Sequence, residues 1–206
     1  MVNVSVDPSG LPAAGLAAGE YYGRIDVKSE GASNSPQTIT VVLSVLPRGG
    51  DPGPEVRPAG LVFTGAPGAT PGSEDVQVGN PAGQAADYVS GPVGGAGLSY
   101  LPTNARVHPN QPTTLRVFPD FSDLSGGTIQ QATITLQFSG GTSRTVSILM
   151  VAAPDGCTPS RLLPVFAQLG SGSSTPAGEP VTVTAKVVDD CGSPMTAGSV
   201  VASFSG

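Results

Sequence analysis

An internal repeat constrains this chain more than any other feature. The stretch "VSVDPSGLPAAGLAAGEYYGRIDVKS" (4–29) aligns without a gap to "LRVFPDFSDLSGGTIQQATITLQFSG" (115–140). Val4 matches Leu115, Val6 Val117, Pro8 Pro119, Ile25 Leu136 and Val27 Phe138, each pair 111 residues apart. Then "PQTITVVLSVLP" (36–47) matches "SRTVSILMVAAP" (143–154) at an offset of 107. The difference of 4 falls between strands, where "SEGASNS" stands against "GGT". An even deletion there leaves the in/out phase of both strands intact, as a core on one face of a sheet requires. Both copies alternate apolar and polar residues, the period of a half-buried strand. Each copy reads strand, long Gly/Ala/Pro turn, strand, hairpin loop, strand, proline stop.

More strands precede the unit in the second copy. "AGLVFTGAPG" (59–68), "SEDVQVGNP" (73–81), "ADYVSGP" (86–92) and "LSYLPTNARVHP" (98–109) all have strand character. A module of about 100 residues with about seven short strands has the size and pattern of an immunoglobulin-like sandwich. The expected fold is therefore all-β, tandem immunoglobulin-like β-sandwiches with the first and last incomplete. Residues 1–47 are expected to be the C-terminal half of a module, 48–56 a Pro/Gly linker, 57–154 a complete module, and 157–206 the N-terminal part of a third domain. Met1 is expected to be a start imposed on a longer protein, with any signal peptide upstream of it.

Composition excludes several classes. Lys and Arg number only 9 against 15 Asp and Glu, giving a net charge of −6 with no basic cluster, so a nucleic-acid footprint is absent. The longest apolar run, "ILMVAA" (148–153), is far short of the roughly 20 residues that span a bilayer. Gly (29) and Pro (21) punctuate short Val/Ile/Leu runs, which reads as many strands and turns rather than disorder.

The motif "GLAAGEYYGRIDVKSEGASNSPQTITVVLSV", carried by Leu16, Gly19, Tyr21, Gly23, Ile25 and Val27, resembles the C-terminal half of bacterial Ig-like repeats of the BACON type. Residues 57–154 resemble it too, although "GGTIQQATITLQF" lacks the Tyr and its Gly partners. The final unit, "AGEPVTVTAKVVDDCGSPMTAGSVVASFSG", is similar to the first half of an invasin-like bacterial Ig-like domain. These resemblances imply a secreted, surface-exposed, multi-domain protein. They bring no catalytic residue, and carbohydrate binding only as something proposed for the BACON group.

Candidate chemistry is sparse. Acyl transfer needs a nucleophile, a base and an orienter, and the single histidine, His108, closes a strand. The carboxylate pairs Asp120/Asp123 and Asp189/Asp190 fall in turns, where Asp bonds nearby backbone N–H groups. Glycine-rich "GPVGGAG" (91–97) lacks the strand-to-helix setting of a phosphate cradle. No catalytic residue, cofactor or metal is expected, and the chain is not expected to be an enzyme. Tyr21 and Tyr22 adjoin, so one faces inward and one outward. Tyr22 is the candidate for stacking against a sugar ring. Asn3, in "NVS", matters only in a glycosylating host.

Two cysteines, Cys157 and Cys191, fit no metal spacing and leave a disulfide or two buried thiols. Cys157 precedes the third unit's first strand and Cys191 sits in the turn after its second, so a bridge is expected that pins the start of the unit to one end of its sandwich. Ile25, Val27, Ile39, Val41 and Leu43 are expected on one buried face, and Leu136, Phe138, Val146, Ile148 and Met150 on another. The apolar faces of the two terminal fragments, including Val181, Val183, Val187 and Phe204 in the last, need a cover. The adjoining module, the other fragment and a neighbouring molecule are the options, and the extended linker favours the neighbouring molecule.

The expected function is a non-enzymatic extracellular structural or adhesive segment of a modular bacterial surface or secreted protein. Alternatives are a carbohydrate-binding accessory module of a secreted hydrolase and a fibre subunit assembled by strand exchange. Expected partners are further copies, through incomplete sandwiches, and a glycan or surface ligand. Neither nucleic acid nor membrane insertion is expected.

Overall fold

The computed structural model describes the backbone of residues 2–5, 16–91, 97–168, 174–177 and 182–205, and the side chains of 16–91, 97–168, 174–177 and 183–201. Every regular element among them is a strand. The first three are β1 (Val2–Ser5), β2 (Gly19–Lys28) and β3 (Gln37–Leu46). Next come β4 (Glu55–Arg57), β5 (Gly60–Gly65), β6 (Glu74–Gly79), β7 (Ala86–Ser90), β8 (Leu98–Leu101) and β9 (Asn104–Val107). They are followed by β10 (Thr113–Pro119), β11 (Thr128–Phe138) and β12 (Ser143–Ala152). The last are β13 (Leu162–Phe166), β14 (Ser174–Pro176), β15 (Thr182–Asp189) and β16 (Ser199–Ser205).

Strands β4–β12 close one sandwich. A sheet in the order β4-β6-β10-β8 packs on another in the order β5-β12-β11-β7-β9, with β5 parallel to β12. Alternation supplies the core: Leu115 and Val117 from one sheet and Ile134, Leu136, Ile148 and Met150 from the other are buried. There are nine strands here rather than about seven. β4 forms at the end of the stretch expected to be linker, and 98–109 divides at Pro102–Thr103, where the chain crosses from one sheet to the other. Arg144 fixes the approach to β4: its buried guanidinium donates to the carbonyl oxygens of Pro54 (2.7 Å) and Pro52 (2.8 Å).

The second sandwich is built from both ends of the chain. Sheet β1-β15-β13 faces sheet β14-β3-β2-β16. Ile25, Val27 and Val41 from the first 46 residues bury against Leu162, Val183 and Val187 from the last part of the chain. Each strand has a counterpart in the other sandwich. β13, β15 and β1 stand as β4, β6 and β10 do, and β14, β3, β2 and β16 as β5, β12, β11 and β7 do, parallel pair included. The terminal sandwich is thus a circular permutation of the continuous one, with the chain opened between the equivalents of β7 and β10. Among the described residues, β8 and β9 have no counterpart.

This pairing corrects the expectation that a neighbouring molecule covers the terminal faces: each terminal segment covers the other. The faces carrying Ile25, Val27, Val41 and Leu43, and Val183 and Val187, are buried as a result. Ile39 is only partly buried. The side chains of Val181 and Phe204 lie outside the described residues, as do those of Val4 and Asn3. In the continuous sandwich Leu136, Phe138, Val146, Ile148 and Met150 are all buried.

The two sandwiches meet along β12. Leu149 and Val151 point away from their own core and bury against Leu163, Val165 and Val188. "ILMVAA" is continuously apolar because that end of β12 is covered on both faces. The Ala59 N–H donates to the Ala167 carbonyl across the junction at 2.8 Å. Next to it, a Cβ on Gly60 would collide with the Phe166 carbonyl oxygen and the Val165 side chain. Gly60→Ala is therefore expected to push the sandwiches apart at a cost of about 1–3 kcal/mol. Faster hydrogen exchange at the Ala59 amide would report it; unchanged protection would contradict the close approach.

Candidate ligand-binding face

The outer face of sheet β14-β3-β2-β16 carries the residue singled out for sugar stacking. Tyr22 lies on β2, opposite Val42 of β3, and is 54% exposed. Its neighbour in the chain, Tyr21, donates to the Ala17 carbonyl. The Tyr22 hydroxyl donates to Glu20 Oε2 at 3.0 Å, and that hydrogen bond to a carboxylate raises the phenol above its ordinary value. Val42 is also exposed, so Tyr22 and Val42 form a small apolar platform.

Below them on the same face lies a polar cluster. Arg24 grips Asp26 with two bonds, Nε to Oδ1 at 2.9 Å and a terminal nitrogen to Oδ2 at 2.7 Å, and Thr38 donates to Asp26 Oδ1 at 2.8 Å. The Arg24 bond first, then the Thr38 bond, pull the Asp26 carboxyl from 3.8 down to about 2. A depressed carboxylate contributes stability above its unfolded value and loses it as pH falls through the folded one. Asp26 is thus expected to favour the fold above about pH 4 and to stop doing so by about pH 2. Arg24→Ala should move its carboxyl titration, followed by NMR, back toward the ordinary range. A midpoint that stays put would refute the pairing.

Beyond Val42 the face opens into a groove between the sandwiches of about 520 Å³. Thr40 and Val42 of β3 form one wall; Gln131, Thr133 and Ser147 of β11 and β12 form the other. Sequence reasoning reached Tyr22 but missed Val42 and the groove. The signal for Val42 was present: in "TVVLS" two adjacent valines interrupt a strict alternation, so one of them faces outward. The groove has no local signal, because its walls come from strands about 90 residues apart.

The other candidates are structural. Cys157 and Cys191 form a disulfide with Cα atoms 5.7 Å apart and a sequence separation of 34. Asp189 Oδ1 accepts the N–H groups of Cys191 and Ser193, both at 2.9 Å. Asp190 accepts from the Ser160 and Arg161 N–H groups and from the Ser160 hydroxyl. Asp120 accepts from the Ser122 N–H at 2.9 Å. Turn backbone thus occupies these carboxylates. His108 is exposed and bridges to Gln111 in the turn before β10. Residues 92–96 of the glycine-rich loop lie outside the described residues. Among the described residues, no group of three or more His, Cys, Asp or Glu could hold a metal ion, and no helix is long and apolar enough to cross a membrane.

The strand order, the two facing and mainly antiparallel sheets and the internally repeated topology are those of immunoglobulin-like β-sandwiches. No family model matches the chain. No curated protein matches it. Solved structures similar to part of it include an MSP family member of C. elegans, 12% identical over 48% of this chain and 97% of that one, with a TM-score of 0.36. A Bacteroides ovatus GH5 xyloglucanase is 16% identical over 48% of this chain and 19% of its own, with a TM-score of 0.37. The Pseudomonas aeruginosa CupB2 chaperone is 12% identical over 69% of this chain and 97% of its own, with a TM-score of 0.41.

Proposed function

We propose that the chain is a non-enzymatic structural or adhesive segment of a modular bacterial surface or secreted protein, working outside the cytoplasm. The junction between the sandwiches carries this reading: Leu149 and Val151 against Leu163, Val165 and Val188, closed by the Ala59–Ala167 hydrogen bond, make one stiff block. Stiffness is what a spacer or presenting segment needs. The Cys157–Cys191 bridge suits an oxidising compartment. The resemblance of 1–47 and 57–154 to BACON-type repeats, and of 157–206 to invasin-like domains, supports the same placement and a tandem-module organisation. Small-angle scattering from the full chain tests it. A single rigid envelope, loosened by Gly60→Ala, is expected; freely hinged sandwiches in the unaltered chain would sink the spacer reading.

A second reading, a carbohydrate-binding accessory module, is favoured by one observation: the Tyr22–Val42 platform opens onto the groove lined by Thr40, Gln131 and Thr133. On a glycan array, retention that disappears with Tyr22→Ala would establish this second function. A third reading, a fibre subunit joined by strand exchange, is favoured by the terminal sandwich, whose halves come from opposite ends of the chain. Filaments in electron micrographs of the concentrated chain would support it, and a strict monomer would remove it.

A further inference from the structure

Three strand pairs join segment 2–46 to segment 162–205: β1 with β15, β2 with β16 and β3 with β14. Their shared core sets Ile25, Val27 and Val41 against Leu162, Val183 and Val187. The continuous sandwich is inserted between these two segments and supplies no strand to their sheets. Tension that enters the chain ahead of β1 and leaves it after β16 therefore crosses the terminal sandwich and bypasses 55–152. This holds whatever chain lies beyond either strand, because the two segments are joined to each other directly.

The direction of the strands sets how that tension acts. β1 is antiparallel to β15, matching Val2 with Ala185 and Ser5 with Thr182. After β15 the chain folds straight back: Val188 bridges to Pro194, and the Met195 N–H donates to the Val187 carbonyl at 3.0 Å. β16 thus runs the same way as β1, and Val2 and Ser205 lie at opposite ends of the sandwich. β2 is antiparallel to β16, matching Ser199 with Lys28 and Ser205 with Tyr22. Hydrogen bonds in such pairs lie across the strands, so a pull along the strands strains all the bonds of a pair together instead of one at a time.

We infer that the terminal sandwich is a tension clasp. It carries a pull between its two segments in shear, keeps 55–152 out of the path while it holds, and lengthens the chain by a set amount when it opens. The disulfide sets that amount: Cys157 and Cys191 stay 5.7 Å apart between Cα atoms, so the 34-residue separation between them is held back from extension. Opening leaves the continuous sandwich folded, because its core and its β5–β12 pair lie wholly within 55–152. The inference rests on the structural-segment reading and names what the stiffness of that segment serves.

Single-molecule pulling on the full chain, with one handle joined before Val2 and the other after Ser205, tests the clasp. The first step should lengthen the chain by about 25 nm, from ~75 freed residues at about 3.4 Å each. The second step, the continuous sandwich, should add about 30 nm. Reductant should lengthen the first step by about 12 nm and leave the second unchanged. Phe138→Ala, which weakens only the continuous sandwich, should leave the force of the first step unchanged. With the handles moved to Asp51 and Asp155, which load 55–152 directly, the same variant should lower the force. A first step of about 30 nm indifferent to reductant would overturn the clasp. So would a first force that falls with Phe138→Ala when the handles flank Val2 and Ser205, or a terminal sandwich that opens without measurable force. Steps that merge are read by the response of their force to Phe138→Ala. Free hinging of the sandwiches in scattering would instead remove the stiff-segment reading and leave the order of the steps standing.

Discussion

Phe138→Ala is expected to lower the unfolding free energy of the continuous sandwich by ~3–5 kcal/mol, the range for an aromatic removed from a packed core. Phe138 ends β11, is 5% exposed and meets Tyr88 with their planes tilted at 59°. Tyr88 is itself anchored through its hydroxyl to the Pro102 carbonyl at 3.3 Å, where the chain crosses between the sheets. The lost ring therefore leaves a space bounded on one side by a residue that cannot readily move. Chemical denaturation gives the number. A double-mutant cycle with Tyr88→Leu should recover about 0.5–1.5 kcal/mol of it as coupling between the rings. A loss under about 1 kcal/mol would contradict the burial of that face.

Removing the disulfide should have an effect of similar size in the other sandwich. The bridge closes a loop with a sequence separation of 34, worth ~4 kcal/mol in the chain-entropy account. Its position concentrates the effect. Cys157 lies at the start of the last segment, Cys191 in the turn after β15, and β15 sits between β1 and β13. Loosening it uncovers Ile25 and Val27 as well as its own face. Cys157→Ala with Cys191→Ala, unfolded in urea, should show the terminal sandwich melting well before residues 55–152. Coincident transitions at the unaltered midpoint would show that the bridge does not stabilise that half.

Much of this was legible from the chain because alternation is a local signal. Ile25, Val27, Val41, Leu136, Ile148 and Met150 face inward as their phase requires. What was not legible came from contacts between distant segments. Leu149 and Val151 look mis-phased on β12 until a second sandwich covers them. The repeat offsets also place Ile25 opposite Gln37, whereas Ile25 pairs with Ile39. That slip is two residues, an even number, so every side chain keeps its face and the core pattern cannot reveal it. Tyr22 was found outward because two tyrosines adjoin; the groove beside it depends on how two sandwiches dock, which no short stretch encodes. The choice of cover for the terminal faces turned on the same kind of information. Stretches 1–47 and 157–206 each looked open, and only their matching strand order shows that each fits the other.

That mutual fit governs the order in which the chain can acquire its structure during synthesis. Residues 2–46 are made before residues 55–152, yet their strand partners β14, β15 and β16 are made only after them. Contacts so far apart in sequence pay a closure entropy before they return anything. The intervening module relieves it: once folded, it replaces a long flexible loop with a rigid bridge and presents Leu149 and Val151 as a landing place for β13. Until then the nascent β2–β3 hairpin carries its apolar face uncovered, so its exposure to aggregation lasts as long as the synthesis of everything between it and its partners.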